Sequence, residues 1–137
     1  MDHPNAVRFR SAFDDMWRCG DIEPTLQLMR DDVVWINDIG AGPFHRGDGK
    51  ESLLALVTDW MALFDGTFTQ ELVDICASDH NVVEILHETG TAQGQRFDNL
   101  ALYRYELDDN GLVTHVRTYD RDRQAIDEFW ANVDIRP

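Results

Sequence analysis

Apolar residues recur every three or four positions in three segments of the first half of the chain, and this spacing predicts three helices. The segments cover residues 4–19, 22–30 and 48–64. Gly20 and Gly66 follow the first and the third segment, as glycine commonly follows the end of a helix.

Runs of β-prone residues alternate with short links over the rest of the chain. Five strands are expected, at residues 32–37, 67–77, 80–92, 95–108 and 112–120. One link holds the tight-turn pair Asn110-Gly111, and short links of this kind make consecutive strands antiparallel neighbours. The closing segment, residues 120–133, is expected to be helical. This order indicates one α+β domain over residues 1–137, with helices packed on one face of a curved sheet.

Alternation along each strand divides its side chains between an inner, covered face and an outer face in water. In the strand over residues 80–92, Glu84 and Glu88 are expected in water. Five residues then fall on the covered face: Val83, Ile85, His87, Thr89 and Thr91. In the next strand the expected inner set is Phe97, Asn99, Ala101, Tyr103 and Tyr105. The last strand is left open, because either His115, Arg117 and Tyr119 or Val116, Thr118 and Asp120 could face inward.

Composition narrows the range of partners. The 137 residues are 43% hydrophobic, enough for a packed interior. There are 26 Asp and Glu against 12 Lys and Arg, and the net charge of -14 argues against nucleic acid and anionic membranes as partners.

No apolar stretch approaches the roughly 20 residues of a membrane span, and the first residues do not resemble a signal peptide, so a cytoplasmic location is expected. Cys19 and Cys76 are expected to be separate, buried thiols.

Several short motifs follow this order of elements. They are Cys19-Gly20-Asp21, Asp31-Asp32-Val33-Val34-Trp35, Arg46-Gly47, Asn110-Gly111-Leu112-Val113 and Tyr119-Asp120. With them the chain resembles the SnoaL-like polyketide cyclases and the ketosteroid isomerases of the nuclear transport factor two-like superfamily, over roughly residues 5–130. The resemblance implies a cone-shaped curved sheet, antiparallel and mixed at the edge, wrapped around three N-terminal helices as a cystatin-like α+β barrel. It also implies an apolar pocket, a small lipophilic ligand and a homodimer.

The segment from Asn37 to Gly47 resembles the part of ketosteroid isomerases that carries the proton-shuttling aspartate, which makes Asp38 a candidate general base. A carboxylate beside an apolar cavity loses hydration, and its raised pKa suits acid–base work near neutral pH. The alternative is that Asp38 only caps the Gly/Pro loop. Phe13 and Ala101 stand where those isomerases place oxyanion-hole donors, so that hole is absent here unless Asn99 or Tyr103 replaces it.

A second candidate site also follows from the resemblance. Polyketide cyclases and related epoxide hydrolases close the last strand with an aspartate inside the cone, the place of Asp120, and His87 would lie across the cavity as its acid–base partner. The alternatives are an N-cap role for Asp120 and a simple wall position for His87. The predicted ligand-binding residues are Phe13, Trp17, Trp35, Trp60, Phe97, Asn99, Ala101, Tyr103 and Thr118.

The five histidines lack the spacing of a metal site, and no glycine-rich phosphate loop follows a strand, so no metal and no cofactor is expected. Three functional hypotheses remain. The first is a cofactor-independent acid–base enzyme (isomerase, cyclase, dehydratase or hydratase type) that acts on a small lipophilic carbonyl or hydroxyl compound. The second is a non-catalytic ligand-binding or dimerisation module of the same fold. The third is a structural protein whose core is filled by its own aromatic residues.

Overall fold

The computed structural model describes residues 2–135. Its helices are α1 (Pro4–Cys19), α2 (Glu23–Gln27), α3 (Lys50–Leu63) and α4 (Arg123–Ala131), with one 3-10 turn at Gly42–Phe44. Its strands are β1 (Met29–Asn37), β2 (Arg46–Asp48), β3 (Thr69–Ala77), β4 (Asn81–Ala92), β5 (Gln95–Leu107) and β6 (Val113–Tyr119). Met1 and residues 136–137 of the predicted domain lie outside the described residues.

The six strands form one mixed sheet in the order β2-β1-β6-β5-β4-β3. Only the β1–β6 pair is parallel among the described strands, and it joins the first strand to the end of the meander. The predicted α+β class is confirmed. The sheet does not close on itself, because β2 and β3 are its two edges.

The second helix is shorter and the first strand longer than predicted. Helix α2 ends at Gln27, and Met29 already pairs with Val113 of β6. Leu28 and Met29 are buried in the core, so the apolar positions that suggested a continuing helix serve the start of β1 instead. Strand β2 was not predicted; its three residues pair with β1 and cover one edge of the sheet.

Side chains and glycine define the helix ends. Gly20 takes a left-handed backbone with φ of 66°, and its N–H donates to the carbonyl of Asp15 at the end of α1. The N-cap of α4 is Asp122, whose carboxylate accepts a hydrogen bond from the backbone N–H of Ala125. The N-cap alternative for Asp120 is therefore wrong by two residues.

The buried residues form two clusters, one under α1 and one under α3 and α4. The second is rich in aromatic rings, and Phe64 and Phe129 stack with ring centroids 5.8 Å apart. Trp60 and Phe68 belong to this cluster and also face a cavity, so the aromatic cluster forms one wall of that cavity.

Both cysteines are exposed, which makes the prediction of buried thiols wrong. Cys19 is the last residue of α1, and Cys76 lies on the edge strand β3, next to the inward-facing Ile75. Among residues 2–135, no helix has the length and apolar character needed to cross a membrane.

Candidate functional site

The inner face of β4 is the opposite of the one predicted. Glu84 and Glu88 are buried, with 4% and 1% of their surface exposed, while His87 lies on the outer face. In the antiparallel pairing, Glu84 stands opposite Tyr103 and Glu88 opposite Asn99. Directly opposed residues lie on the same face of a sheet, so the two carboxyl groups lie on the inner face together with Tyr103 and Asn99.

The prediction for β5 itself is confirmed, since Phe97, Asn99, Ala101 and Tyr105 are buried and Tyr103 is half-buried on the same face. The error on β4 has a physical cause. Apolar residues occur on both faces of that strand, so the predicted orientation depended only on the charge of the glutamates. A carboxyl group can nevertheless be buried when hydrogen bonds satisfy it.

A cavity of about 450 Å³ lies between the inner face of the sheet and helices α1, α2 and α3. Its volume is in the range of sites for small molecules. Most of its wall is apolar, and the aromatic part consists of Phe9, Phe13, Trp17, Trp35, Trp60 and Phe68. The polar part that can hold or move a proton consists of Glu84, Glu88, Tyr103 and Tyr105. The described residues of the wall include no Lys, Arg or His.

Glu88 is held by three hydrogen-bond donors. The Tyr103 hydroxyl donates to Glu88 Oε2 at 2.6 Å, and Gln70 Nε2 donates to the same oxygen at 2.8 Å. Asn99 Nδ2 donates to Oε1 at 3.4 Å. Trp17 of α1 donates to Gln70 Oε1 at 3.2 Å, which ties this network to the helix. Burial raises the pKa of Glu88, and the hydrogen bonds from its three donors oppose that rise.

Glu84 has one donor and one open oxygen. The Tyr105 hydroxyl donates to Glu84 Oε1 at 2.7 Å. None of the described residues, 2–135, donates a hydrogen bond to Oε2. Every fully enclosed side-chain oxygen of these residues has a hydrogen-bond partner, so Oε2 is not fully enclosed. Glu84 Oε2 therefore opens on the cavity. Burial raises the pKa of Glu84 to about 7, against the smaller opposing effect of the Tyr105 hydrogen bond.

The two tyrosines remain neutral donors across the physiological range. Burial, and then the charge of the neighbouring glutamates, raises the pKa of Tyr103 and Tyr105. Glu84 and Glu88 are four residues apart on one strand, which places their backbones roughly 13 Å apart. The site therefore has two separate carboxyl–phenol pairs along one wall of the cavity.

Asp38 lies outside the cavity wall. Its Oδ2 accepts a hydrogen bond from Arg117 Nε at 3.0 Å, and its Oδ1 lies 3.6 Å from Nε2 of His45. The inward position belongs to the preceding residue, Asn37, whose side chain accepts a 2.6 Å hydrogen bond from Thr118. The predicted location of Asp38 beside the cavity is wrong because strand alternation places Asn37 there.

Asp120 and His87 do not form the predicted pair. Asp120 binds Arg123 of α4 at 2.9 Å, and His87 Nε2 lies 2.8 Å from Asp98 on the outer face. Neither is part of the cavity wall, so the predicted placement is wrong for both. The catalytic roles of Asp38, Asp120 and His87 stay predictions, and none of the three side chains lines the cavity.

The predicted ligand-binding residues divide into two groups. Those in the cavity wall are Phe13, Trp17, Trp35, Trp60, Tyr103 and Thr118. The other three are buried behind the wall: Phe97 in the aromatic cluster, Asn99 against Glu88, and Ala101 on the same strand. The position of Thr118 also decides the open question for β6, because Val116 and Thr118 face inward.

Nothing in the described residues assembles a metal site, because no three His, Cys, Asp or Glu side chains come together within residues 2–135. The carboxyl–phenol pairs hold protons and hydrogen-bond donors. The chemistry that these residues can supply directly is proton transfer and hydrogen bonding to a molecule in the cavity.

Solved structures of similar fold cover nearly the whole chain. Bal32a, from a soil-derived mobile gene cassette, is 26% identical with a TM-score of 0.80, over 92% of this chain and 95% of its own. A Xanthomonas campestris protein with a cystatin-like fold is 23% identical with a TM-score of 0.77, over 95% of this chain and 98% of its own. A candidate SnoaL-like polyketide cyclase from Jannaschia is 18% identical with a TM-score of 0.73, over 100% of this chain and 99% of its own.

A search of the curated proteins finds no match. The sequence profile of the SnoaL-like domain matches residues 9–116, a span that runs from α1 to the middle of β6 and includes both carboxyl–phenol pairs. The chain belongs to the SnoaL-like domain family.

Proposed function

We propose that this protein is a cofactor-independent enzyme that transfers a proton on a small lipophilic carbonyl or hydroxyl compound, with Glu84 as its acid–base group. The observation that carries the proposal is the open Oε2 of Glu84, a carboxyl oxygen with a pKa of about 7 beside an apolar cavity. A general acid–base group works best when its pKa lies near the working pH.

Glu84 can complete a transfer without leaving its place. As a carboxylate it removes a proton from the carbon beside a carbonyl group, and as an acid it returns that proton to another atom of the same molecule. The Tyr105 hydroxyl holds Oε1 throughout, so only Oε2 takes part. An isomerisation, a cyclisation or a dehydration would each use these two steps.

The second carboxyl–phenol pair supplies a place for the substrate oxygen. Tyr103 lies in the cavity wall, accepts a hydrogen bond from Gln70 at 3.1 Å and donates to Glu88. The pKa of Glu88 is raised by burial, and a protonated Glu88 can donate to Tyr103. The Tyr103 hydrogen is then free to bind a developing oxyanion, a stabilisation typically worth about 100- to 1000-fold in rate.

The family relationship and the cavity support this function, and the proposal extends to the partners. A small lipophilic molecule would occupy the cavity, and the protein would act in the cytoplasm as a homodimer formed through the outer face of the sheet. That face exposes Leu102 and Tyr119, which stand opposite each other on β5 and β6 with 37% and 36% of their surface accessible.

Deuterium exchange tests the acid–base function without knowledge of the natural substrate. A panel of small aryl ketones is incubated with the protein in deuterated buffer, and exchange at the carbon beside the carbonyl is followed by NMR. We expect catalysed exchange for at least one ketone, lost in Glu84→Gln and retained in Glu71→Gln, which removes an exposed carboxylate from β3. Binding of ketones without any exchange would favour the non-catalytic ligand-binding module instead.

A further inference from the structure

We infer that the cavity also binds lipophilic amines, which enter as ammonium ions and pair with the open carboxyl oxygen of Glu84. This binding activity differs from the proton transfer proposed above. It needs the cavity and Glu84, and it does not need turnover.

The first argument is the unbalanced charge of the wall. Glu84 and Glu88 are both buried there, and none of the described residues that line the cavity is basic. A buried carboxyl group favours the ionised form when a cation lies beside it. A cationic ligand in the cavity would supply that partner for Glu84, and the net charge of -14 attracts cations to the molecule as a whole.

The second argument is the open oxygen. Glu88 has donors on both of its oxygens, whereas Glu84 has one donor on Oε1 and none of the described residues on Oε2. Glu84 is 96% covered, so Oε2 meets the cavity rather than bulk water. An ammonium group that donates to Oε2 would complete its hydrogen bonding.

The third argument is the aromatic surround of Glu84. Tyr105 binds its carboxyl group, Tyr103 stands opposite it on β5, and the ring of Phe9 lies edge-on to Tyr105 with centroids 4.9 Å apart. Ring faces attract cations, and aromatic cages are a known means of binding ammonium groups. The rings also supply apolar surface for the hydrocarbon part of the amine.

The charge state of Glu84 separates an amine from a neutral ligand. The titratable groups of the wall are Glu84, Glu88, Tyr103 and Tyr105, and the segments of α1, α2, α3, β1 and β6 that face them contribute none. His87, on the outer face, acts on Glu88 through its charge. Amine binding should strengthen as Glu84 ionises, whereas a carbonyl ligand that accepts a hydrogen bond from protonated Glu84 should bind more weakly over the same change.

The test compares phenylbutylamine with phenylbutanol, a neutral molecule of the same size, by isothermal titration calorimetry from about pH 5.5 to about pH 8.5, where the amine stays charged because amine pKa values lie near 10. We expect amine affinity to rise at least about tenfold over this range and alcohol affinity to change less than about twofold. Amine binding below pH 7 should also release a proton from Glu84, measured by repeating the titration in buffers of different ionisation enthalpy.

Variants complete the test. Glu84→Gln should lower amine affinity at high pH by about tenfold or more and alcohol affinity by a much smaller factor, whereas Glu71→Gln should behave as wild type toward both. If circular dichroism shows that Glu84→Gln folds poorly, Glu84→Asp is the second variant. It keeps the charge and should therefore retain the preference for the amine. The inference is wrong if the alcohol binds as tightly as the amine at high pH, or if the preference survives in Glu84→Gln. Ketone exchange without amine binding would overturn this inference and leave the proposed enzyme function intact.

Discussion

The Tyr105 hydroxyl donates a 2.7 Å hydrogen bond to Glu84 across neighbouring strands of the sheet. The phenol ring in turn packs edge-on against Phe9 of α1, so the carboxyl group is fixed by a side chain that is itself fixed by the core. Glu84 is thereby held at the cavity with a single oxygen available. The catalytic and the amine-binding proposals both depend on this arrangement.

Replacing Tyr105 by Phe tests that dependence. The hydrogen bond favours the charged form of Glu84, so its loss should raise the pKa of Glu84 above about 7. Because a buried acceptor is left unsatisfied, the free energy of unfolding near pH 8 should also fall by about 1–3 kcal/mol. Carboxyl NMR titration and urea unfolding measure the two effects. Tyr119→Phe, on the exposed outer face, is the control and should change neither quantity.

The stability of the fold should depend on pH through Glu84. Its pKa is about 7 in the folded chain against an ordinary value of 4.5, so the folded state binds the extra proton between these values. The contribution of Glu84 to the free energy of unfolding is therefore fully present below about pH 4.5. It is lost as the pH rises through 7, which lowers the free energy of unfolding by about 3 kcal/mol. Glu88, whose pKa is also raised by burial, adds loss in the same direction.

Urea unfolding of wild type and Glu84→Gln at about pH 5 and about pH 8 measures this pH dependence. The glutamine variant should lose less stability than wild type between the two values, because its amide does not titrate and still accepts from Tyr105. Glu71→Gln should keep the wild-type dependence. If the free energy of unfolding falls by the same amount in wild type and in Glu84→Gln between the two pH values, the pKa of Glu84 in the folded chain is not raised.

The sequence was sufficient to predict most of the fold, because the long helices and the meander have strong periodicity and clear turn residues. It failed where burial and charge disagree. On β4, the pattern Val-Val-Glu-Ile-Leu-His-Glu has apolar residues on both faces, and charge alone indicated the wrong one. The hairpin that follows contained the missing information. Gln93 and Gly94 both have positive φ and form a two-residue turn, which fixes Glu84 opposite Tyr103.

The misplacement of Asp38 has a different origin. The run of β-prone residues correctly located the end of β1 at Asn37, but the side chain that faces inward there depends on the phase of the strand. Asn37 takes that position, bound to Thr118 and to the carbonyl of Phe44. A carboxylate at the next position instead finds Arg117, and no feature of the local sequence reveals that partner on a strand 79 residues away.

The proposed homodimer predicts a simple effect of charge on the outer face of the sheet. Leu102→Arg would bring a cation into an interface near Arg104 and Arg117, and an unpaired buried charge opposes association. We expect sedimentation velocity to show a monomer for this variant and a dimer for wild type, with unchanged far-ultraviolet circular dichroism. Val7→Arg, at an exposed apolar position on α1 away from the sheet, is the control and should remain a dimer. A wild-type monomer would refute the homodimer and would not affect the cavity.

Direct comparison of the acidic residues decides which one transfers the proton. In the ketone exchange assay, Glu84→Gln should reduce the rate by about 100-fold or more, the usual effect of losing a general acid–base group. Asp38→Asn weakens contacts with Arg117 and His45 that are partly exposed and screened by solvent, so stability should change little and exchange by less than about threefold. The pH profile gives an independent readout, because wild-type activity should rise as Glu84 ionises near pH 7. If Asp38→Asn abolishes exchange while Glu84→Gln retains it, the original assignment from the family resemblance is right, and the acid–base role proposed for Glu84 is wrong.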